Sequence, residues 1–296
     1  MFSDFLRVQL DLTRASGELG MAMFSGHILR RIAPRTDRNL PVIALPGLMA
    51  SDASFEPLSR FLREQGFNAQ TWGLGRNRGL RGAAWNENLD AVRARLADRI
   101  KEMSDASSAP VSLVGHSMGG IYARELAARM EGEVDRVITL GAPTLHPYRA
   151  ARHNQFAMDI ADLINRQRAA ELGGRTGLLH WDPDHPALPC VAIHSPIDAF
   201  VDEEHCHIPA YIVTQSTPAS PRENIRVLSS HLGMTVNPFV MLAVADRLVV
   251  SRDNWCPFDP DRYFKGLFRR AAGVFYPEPG KLRKNRGTSA FVEMNQ

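Results

Sequence analysis

Val111-Ser-Leu-Val-Gly115-His116-Ser117-Met118-Gly119-Gly120-Ile121-Tyr-Ala-Arg-Glu-Leu-Ala127 decides the architecture of the chain. A short β-rich run enters a Gly-x-Ser-x-Gly turn, and the turn opens directly into a run of helix formers. A serine on such a turn needs unfavourable backbone angles, which the packing around it must hold. Side chains two positions away on either side would collide, so Gly115 and Gly119 flank it. The helix that starts after Ser117 aims free N–H groups and its positive dipole end at whatever the hydroxyl attacks. Strand, turn and helix together mark Ser117 as a candidate nucleophile.

Working outward, strand-like and helix-like segments alternate. Pro41-Val-Ile-Ala-Leu45 reads as a buried strand ending in Pro46-Gly47, and 54–65 has helical spacing at Phe55, Leu58, Phe61 and Leu62, stopped by Gly66. Residues 67–72 read as a strand, 86–103 as an amphipathic helix, 118–130 as helix and 134–140 as strand. The alternation breaks over 144–189, an apolar, helix-bearing insertion. It resumes with strands at 191–194 and 224–228 and a helix at 239–249. This order predicts an α/β fold: a mostly parallel central sheet with helices on both faces and a helical lid insertion. The expected division is a helical N-terminal arm (1–39), one domain (40–258, with the lid at 144–189) and a basic C-terminal extension (259–296) that includes Lys281, Arg283, Lys284 and Arg286.

A serine hydroxyl needs a general base, and on this architecture the chain order is Ser, then Asp or Glu, then His. Of the ten histidines, four follow the insertion: His194, His205, His207 and His231. His231 sits in the loop after the last strand, where the base belongs. His194 lies within a strand and reads as packed. His205 and His207 flank Cys206 in a polar loop whose spacing fits no zinc pattern. The acid belongs in the loop after the preceding strand, where Asp198 is the first carboxylate and Asp202 the second choice. It would accept a hydrogen bond from His231 and fix its tautomer. Two backbone N–H groups are needed for the oxyanion: Met118, after the nucleophile, and Leu48, where Gly47 lets the backbone turn to the site.

Composition sets limits on partners. The 296 residues are 44% hydrophobic and 23% charged, with a net charge of +3, too mild to point to nucleic acid. Three cysteines form no disulfide framework, which favours a reducing cytoplasm. Asp4 and Asp11 interrupt any secretory pattern at the start, and no run reaches the length of a membrane span. Residues 21–29 are apolar and followed by two arginines, a candidate for peripheral membrane contact, though packing on the domain is the commoner use of such a segment.

These motifs together resemble the α/β-hydrolase superfamily, and more closely a bacterial lipase/esterase-like branch related to the inositol-deacylase-like esterases. The resemblance covers about 40–258 and rests on Leu45-Pro-Gly-Leu48, Trp72-Gly-Leu-Gly-Arg-Asn77, Gly115–Gly120, Gly141-Ala-Pro143, Ser195-Pro-Ile-Asp198, Ser230-His-Leu-Gly233 and Asn237-Pro238. Many members have His-Gly where this chain has Pro46-Gly47; the backbone donor survives that change. The resemblance implies ester hydrolysis with no cofactor and no metal, and the apolar insertion points to a hydrophobic or lipid-like small-molecule ester. The competing expectations are an acyltransferase or thioesterase with the same triad, and a non-catalytic binding protein on this fold. Oligomeric state is not legible. Within the insertion, His180-Trp-Asp182-Pro-Asp184-His185 reads as a rigid polar turn before a metal-binding lid, and Phe156, Met158, Ile160, Leu163 and Ile164 as an acyl pocket or a lid core. Arg76, Arg78 and Arg81 form a basic loop.

Overall fold

The computed structural model describes residues 2–77, 89–130, 132–143, 188–214, 216–218, 220–264 and 274–276. Most of the insertion, the 180–185 turn, Arg78, Arg81 and the lysine- and arginine-rich tail lie outside them.

Six strands form one sheet: β1 (Pro41–Leu45), β2 (Asn68–Thr71), β3 (Val111–His116), β4 (Val134–Leu140), β5 (Cys190–His194) and β6 (Arg222–Arg226), in the order β2-β1-β3-β4-β5-β6. Every pairing is parallel. Around it lie α1 (Phe2–Ile32), α2 (Asp52–Glu64), α3 (Leu89–Ser107), α4 (Met118–Ala127), the single turns α5 (Glu203–Cys206) and α6 (Ala210–Val213), and α7 (Pro238–Val249). Among the described residues, each strand and helix expected outside 144–189 is present, with ends shifted by a few residues.

A strand buried on both faces needs apolar residues at odd and even positions. In β1, Val42 and Ala44 join a core with Phe55, Leu58 and Leu62 of α2 and with α7. Ile43 and Leu45 join the opposite core with Leu96 and Ile100 of α3 and Met118 and Ile121 of α4. The sheet is therefore covered on both sides, as the continuous apolar runs predict. Parallel register aligns Leu45, Gly115, Thr139, Ala192 and Asn224 near the carboxyl edge, the edge on which open α/β sheets bind ligands.

The C-terminal extension is not all surface. Arg247 in α7 is fully buried and bonds Glu223 of β6 at 2.7 Å and Asp246, with Trp255 against its guanidinium at 5.0 Å. Phe239 stacks on Phe275 at 4.0 Å, and Leu228 donates its N–H to the Phe275 carbonyl at 2.7 Å. Aromatic residues around 258–276 thus close the α7 side of the core. Among the described residues, no helix is long and apolar enough to cross a membrane.

Candidate active site

β3 delivers His116 to the sheet edge, and α4 begins at Met118, so Ser117 alone makes the turn. Its φ of 50° and ψ of −121° lie where L-residues rarely settle. Two bonds pin it: Ser117 N–H to the Leu140 carbonyl at 2.9 Å, and Gly120 N–H to the Ser117 carbonyl at 3.0 Å. A Cβ on Gly119 would stand 2.1 Å from the Leu45 carbonyl oxygen, and one on Gly115 would stand 2.4 Å from that of Gly119. Gly120 is equally constrained, since its Cβ would meet Ala142 at 2.5 Å. Gly119→Ala is therefore expected to cost about 3 kcal/mol or more, read as a fall in the urea midpoint. A stability within ~0.5 kcal/mol of the parent would contradict this packing.

Asp198 and His231 come together from separate loops. His231 Nδ1 lies 2.7 Å from Asp198 Oδ2. Asp198 Oδ1 accepts from the N–H groups of Phe200 and Val201, both at 2.8 Å, which fixes the carboxylate. Ser195 ties the two loops, donating to the Ser229 carbonyl at 2.6 Å and accepting from Ser229 N–H at 3.1 Å. Burial opposes the charged imidazole of His231. The negative charge and hydrogen bond of Asp198, with Asp11 adding, outweigh it and raise its pKa above the ordinary value. Asp202, the second choice for the acid, instead precedes α5, and its carbonyl accepts from His205 N–H at 2.9 Å.

His116, a spacer in the motif, has a task of its own. Its Nε2–H donates to the His231 carbonyl at 2.9 Å, and the two rings sit 4.6 Å apart. Burial, then the neighbouring His231, drives its pKa down to about 3, so it stays neutral and keeps this tautomer. His231 is thereby gripped by its side chain and its carbonyl.

The third grip comes from α1. Asp11 Oδ1 and Oδ2 accept the N–H groups of His231 and Leu232, each at 2.9 Å. Glu18 accepts from Ser230 N–H at 2.7 Å and from the Ser230 hydroxyl at 2.6 Å. Burial raises the pKa of both acids, and these hydrogen bonds pull the other way. A Cβ on Gly233 would lie 1.5 Å from Glu18 Oε2, which explains that glycine. Sequence reasoning missed both acids, although their seven-residue spacing puts them on one face of α1.

The loop after β1 closes over Ser117. A Cβ on Gly47 would come within 3.1 Å of Ser117 Cβ and 3.0 Å of His116 Nδ1. Asn77 holds this loop, donating from Nδ2 to the Pro46 carbonyl at 2.7 Å and accepting Met49 N–H at 2.5 Å. Because the Met49 N–H is spent on Asn77, Leu48 is left as the loop's candidate oxyanion donor. Met118 N–H, in the first turn of α4, has no partner within its own helix.

His194 is engaged in a separate cluster. Its Nδ1 is 3.0 Å from Glu203 Oε1 and 3.2 Å from His207 Nε2. His205 pairs with Glu204 at 3.5 Å.

A parallel sheet whose central strand runs into a strained serine turn, with a carboxylate–histidine pair on the next loops, defines the α/β-hydrolase class. The chain has that fold, which solved structures share. Residues 40–171 match the model of the Thioesterase domain. A soluble variant of monoglyceride lipase from Saccharomyces cerevisiae is similar in structure, with a TM-score of 0.52 and 15% identity over 73% of this chain and 89% of that one. An esterase of Pyrococcus furiosus has a TM-score of 0.51 and 15% identity over 71% of this chain and 80% of its own. No curated protein matches the sequence.

Proposed function

We propose that the protein is a serine hydrolase that cleaves a hydrophobic carboxylic ester through an acyl-enzyme. The observations that carry this reading are the 2.7 Å His231–Asp198 pair and a serine held at φ 50° on the turn between β3 and α4. Ser117 Oγ attacks the acyl carbon while His231 Nε2 takes its proton. Asp198 holds the Nδ1–H tautomer and balances the imidazolium. The amides of Leu48 and Met118 receive the negative oxygen. His231 then protonates the departing alcohol. Water attacks the acyl-enzyme in a second round, giving its proton to His231, which returns it to Ser117 Oγ as the acid is released.

The hydrophobic preference is supported by the residues beside these groups. Met49 and Leu232, next to Leu48 and His231, stay 47% and 40% exposed. Large apolar side chains left in water mark binding surfaces when they cluster at a site. On α1, Met23 and Phe24 are also exposed, at 78% and 85%, which supports a lipid-like substrate or a lipid surface nearby.

A second reading has its own support. The match to the Thioesterase domain over 40–171 favours a thioester as the bond cleaved. The same triad serves either leaving group. Turnover of p-nitrophenyl esters from C2 to C16 compared with acyl thioesters of the same lengths tests the choice. A higher kcat/KM for medium or long esters supports the first reading; higher values for thioesters at every length overturn it in favour of the second.

The α1 grip adds an expectation. Asp11→Ala frees the His231 and Leu232 amides and should lower kcat on the order of 10²-fold, the cost of a small misplacement of a reacting group. Asp11→Asn keeps one acceptor and should recover part of the rate. It also removes a charge that raises the His231 pKa, so its kcat/KM profile should rise at lower pH than the parent's. Equal rates and profiles in all three proteins would contradict a positioning role.

A further inference from the structure

The chain leaves β5 at His194, passes through the loop that carries Asp198, and returns at α5, where Glu203 and His207 meet His194. Each of the three offers one candidate donor atom, and these atoms lie within 4.8 Å of one another. His194 is buried, and Glu203 and His207 are partly buried.

Protons serve this cluster poorly. His194 Nδ1 is within hydrogen-bond distance of both Glu203 Oε1 and His207 Nε2, yet it has room for one hydrogen. With that hydrogen aimed at Glu203, the nitrogen cannot also accept from His207. Without it, a lone pair faces the carboxylate. A single cation satisfies both contacts. A tetrahedral ion with bonds of about 2.0–2.1 Å places its ligands roughly 3.3–3.4 Å apart. The observed 3.0 Å and 3.2 Å edges differ from that by a few tenths of an ångström.

We propose that His194, Glu203 and His207 form a binding site for a divalent transition-metal ion of the zinc class, with water completing the shell. Two imidazoles and one carboxylate are a donor set that zinc and its neighbours accept. Arg226 is the outer partner: Nη2 donates to Glu203 Oε2 at 2.9 Å and Nε donates to Oε1. Ligating carboxylates are commonly oriented by such a bond. Its positive charge also weakens the site relative to one without it. One ligand precedes the Asp198 loop and two follow it, so an ion here ties both ends of that loop. Only this consequence for catalysis rests on the hydrolase reading; binding does not.

The test is a cobalt(II) titration of the full chain after chelator treatment, followed by visible absorption. One equivalent should saturate an intense band of low-coordinate cobalt, and zinc should abolish it. His207→Ala removes one ligand from a partly buried position, and Glu203→Gln removes the anionic one. Each should weaken affinity by more than the roughly 10–100-fold that outer-shell changes cost. His205→Ala should leave the band unchanged, as should Ser117→Ala. Absence of a saturable band, or an undiminished band in folded His207→Ala, overturns the site. Because the readout does not involve Ser117, active-site labelling reports separately on the hydrolase reading.

Discussion

Ser117→Ala is expected to lower ester turnover by roughly 10⁴-fold or more while leaving the fold intact. Alanine keeps the Cβ that already fits the turn, and Ser117 Oγ contributes no hydrogen bond to the architecture described above. What pins the turn is backbone: the Ser117 N–H to Leu140 and the Gly120 N–H to Ser117. Ser117→Gly is expected to lose activity equally and to gain about 1 kcal/mol of stability. Glycine tolerates a φ of 50°, and strain of this kind costs on the order of 1–3 kcal/mol. Initial rates on a p-nitrophenyl ester, paired with urea melts of the three proteins, check both parts. A glycine variant less stable than the parent would mean that the turn is not strained as its angles indicate.

Asp198→Asn should be nearly as severe, with kcat falling by about 10⁴-fold, the size of effect seen when a triad loses the acid that sets the histidine tautomer. The physical reason is specific. Phe200 and Val201 donate to Asp198 Oδ1 and His231 approaches Oδ2. An asparagine that keeps its oxygen toward the two amides must turn its NH₂ toward His231. Nδ1 must then accept, which moves the ring proton to Nε2, where the serine proton has to go. The pH dependence follows from the same pair. The working base is neutral imidazole, so kcat/KM in the parent rises with pH. Its midpoint should lie above the ordinary imidazole value of 6.5, because Asp198 stabilises the charged form. Loss of that charge moves the rising limb to lower pH. A limb that stays in place in Asp198→Asn would separate Asp198 from the titrating base.

Local pattern carried the elbow because every requirement there is local. Gly115 and Gly119 answer to clashes within a few residues of Ser117 and with the neighbouring β1. Asp198 and His231 are legible for a different reason. Strand order on a parallel sheet dictates which loops reach the carboxyl edge, so chain order alone singles them out. Asp11 and Glu18 have no such rule. Their partners lie more than 200 residues away, and two acids near the start of a chain look like ordinary surface charge until α1 is docked. His116 was hidden inside its own motif, where the pattern treats it as interchangeable. The pairing of His194 with His207 was hidden by the intervening loop. One residue ends a strand, the other follows a single helical turn, and no spacing rule links them. Arg247 reads as a polar residue in an apolar helix; Glu223, Asp246 and Trp255 explain its burial only once β6 and α7 are adjacent.

The nucleophilic role of Ser117 is most directly tested with a fluorophosphonate probe and peptide mapping of the labelled protein. The expected result is one adduct on the peptide that contains Ser117, absent in Ser117→Ala and strongly slowed in His231→Ala. Failure of the folded parent to label, or an adduct on any other residue, would contradict the assignment of this serine as the nucleophile.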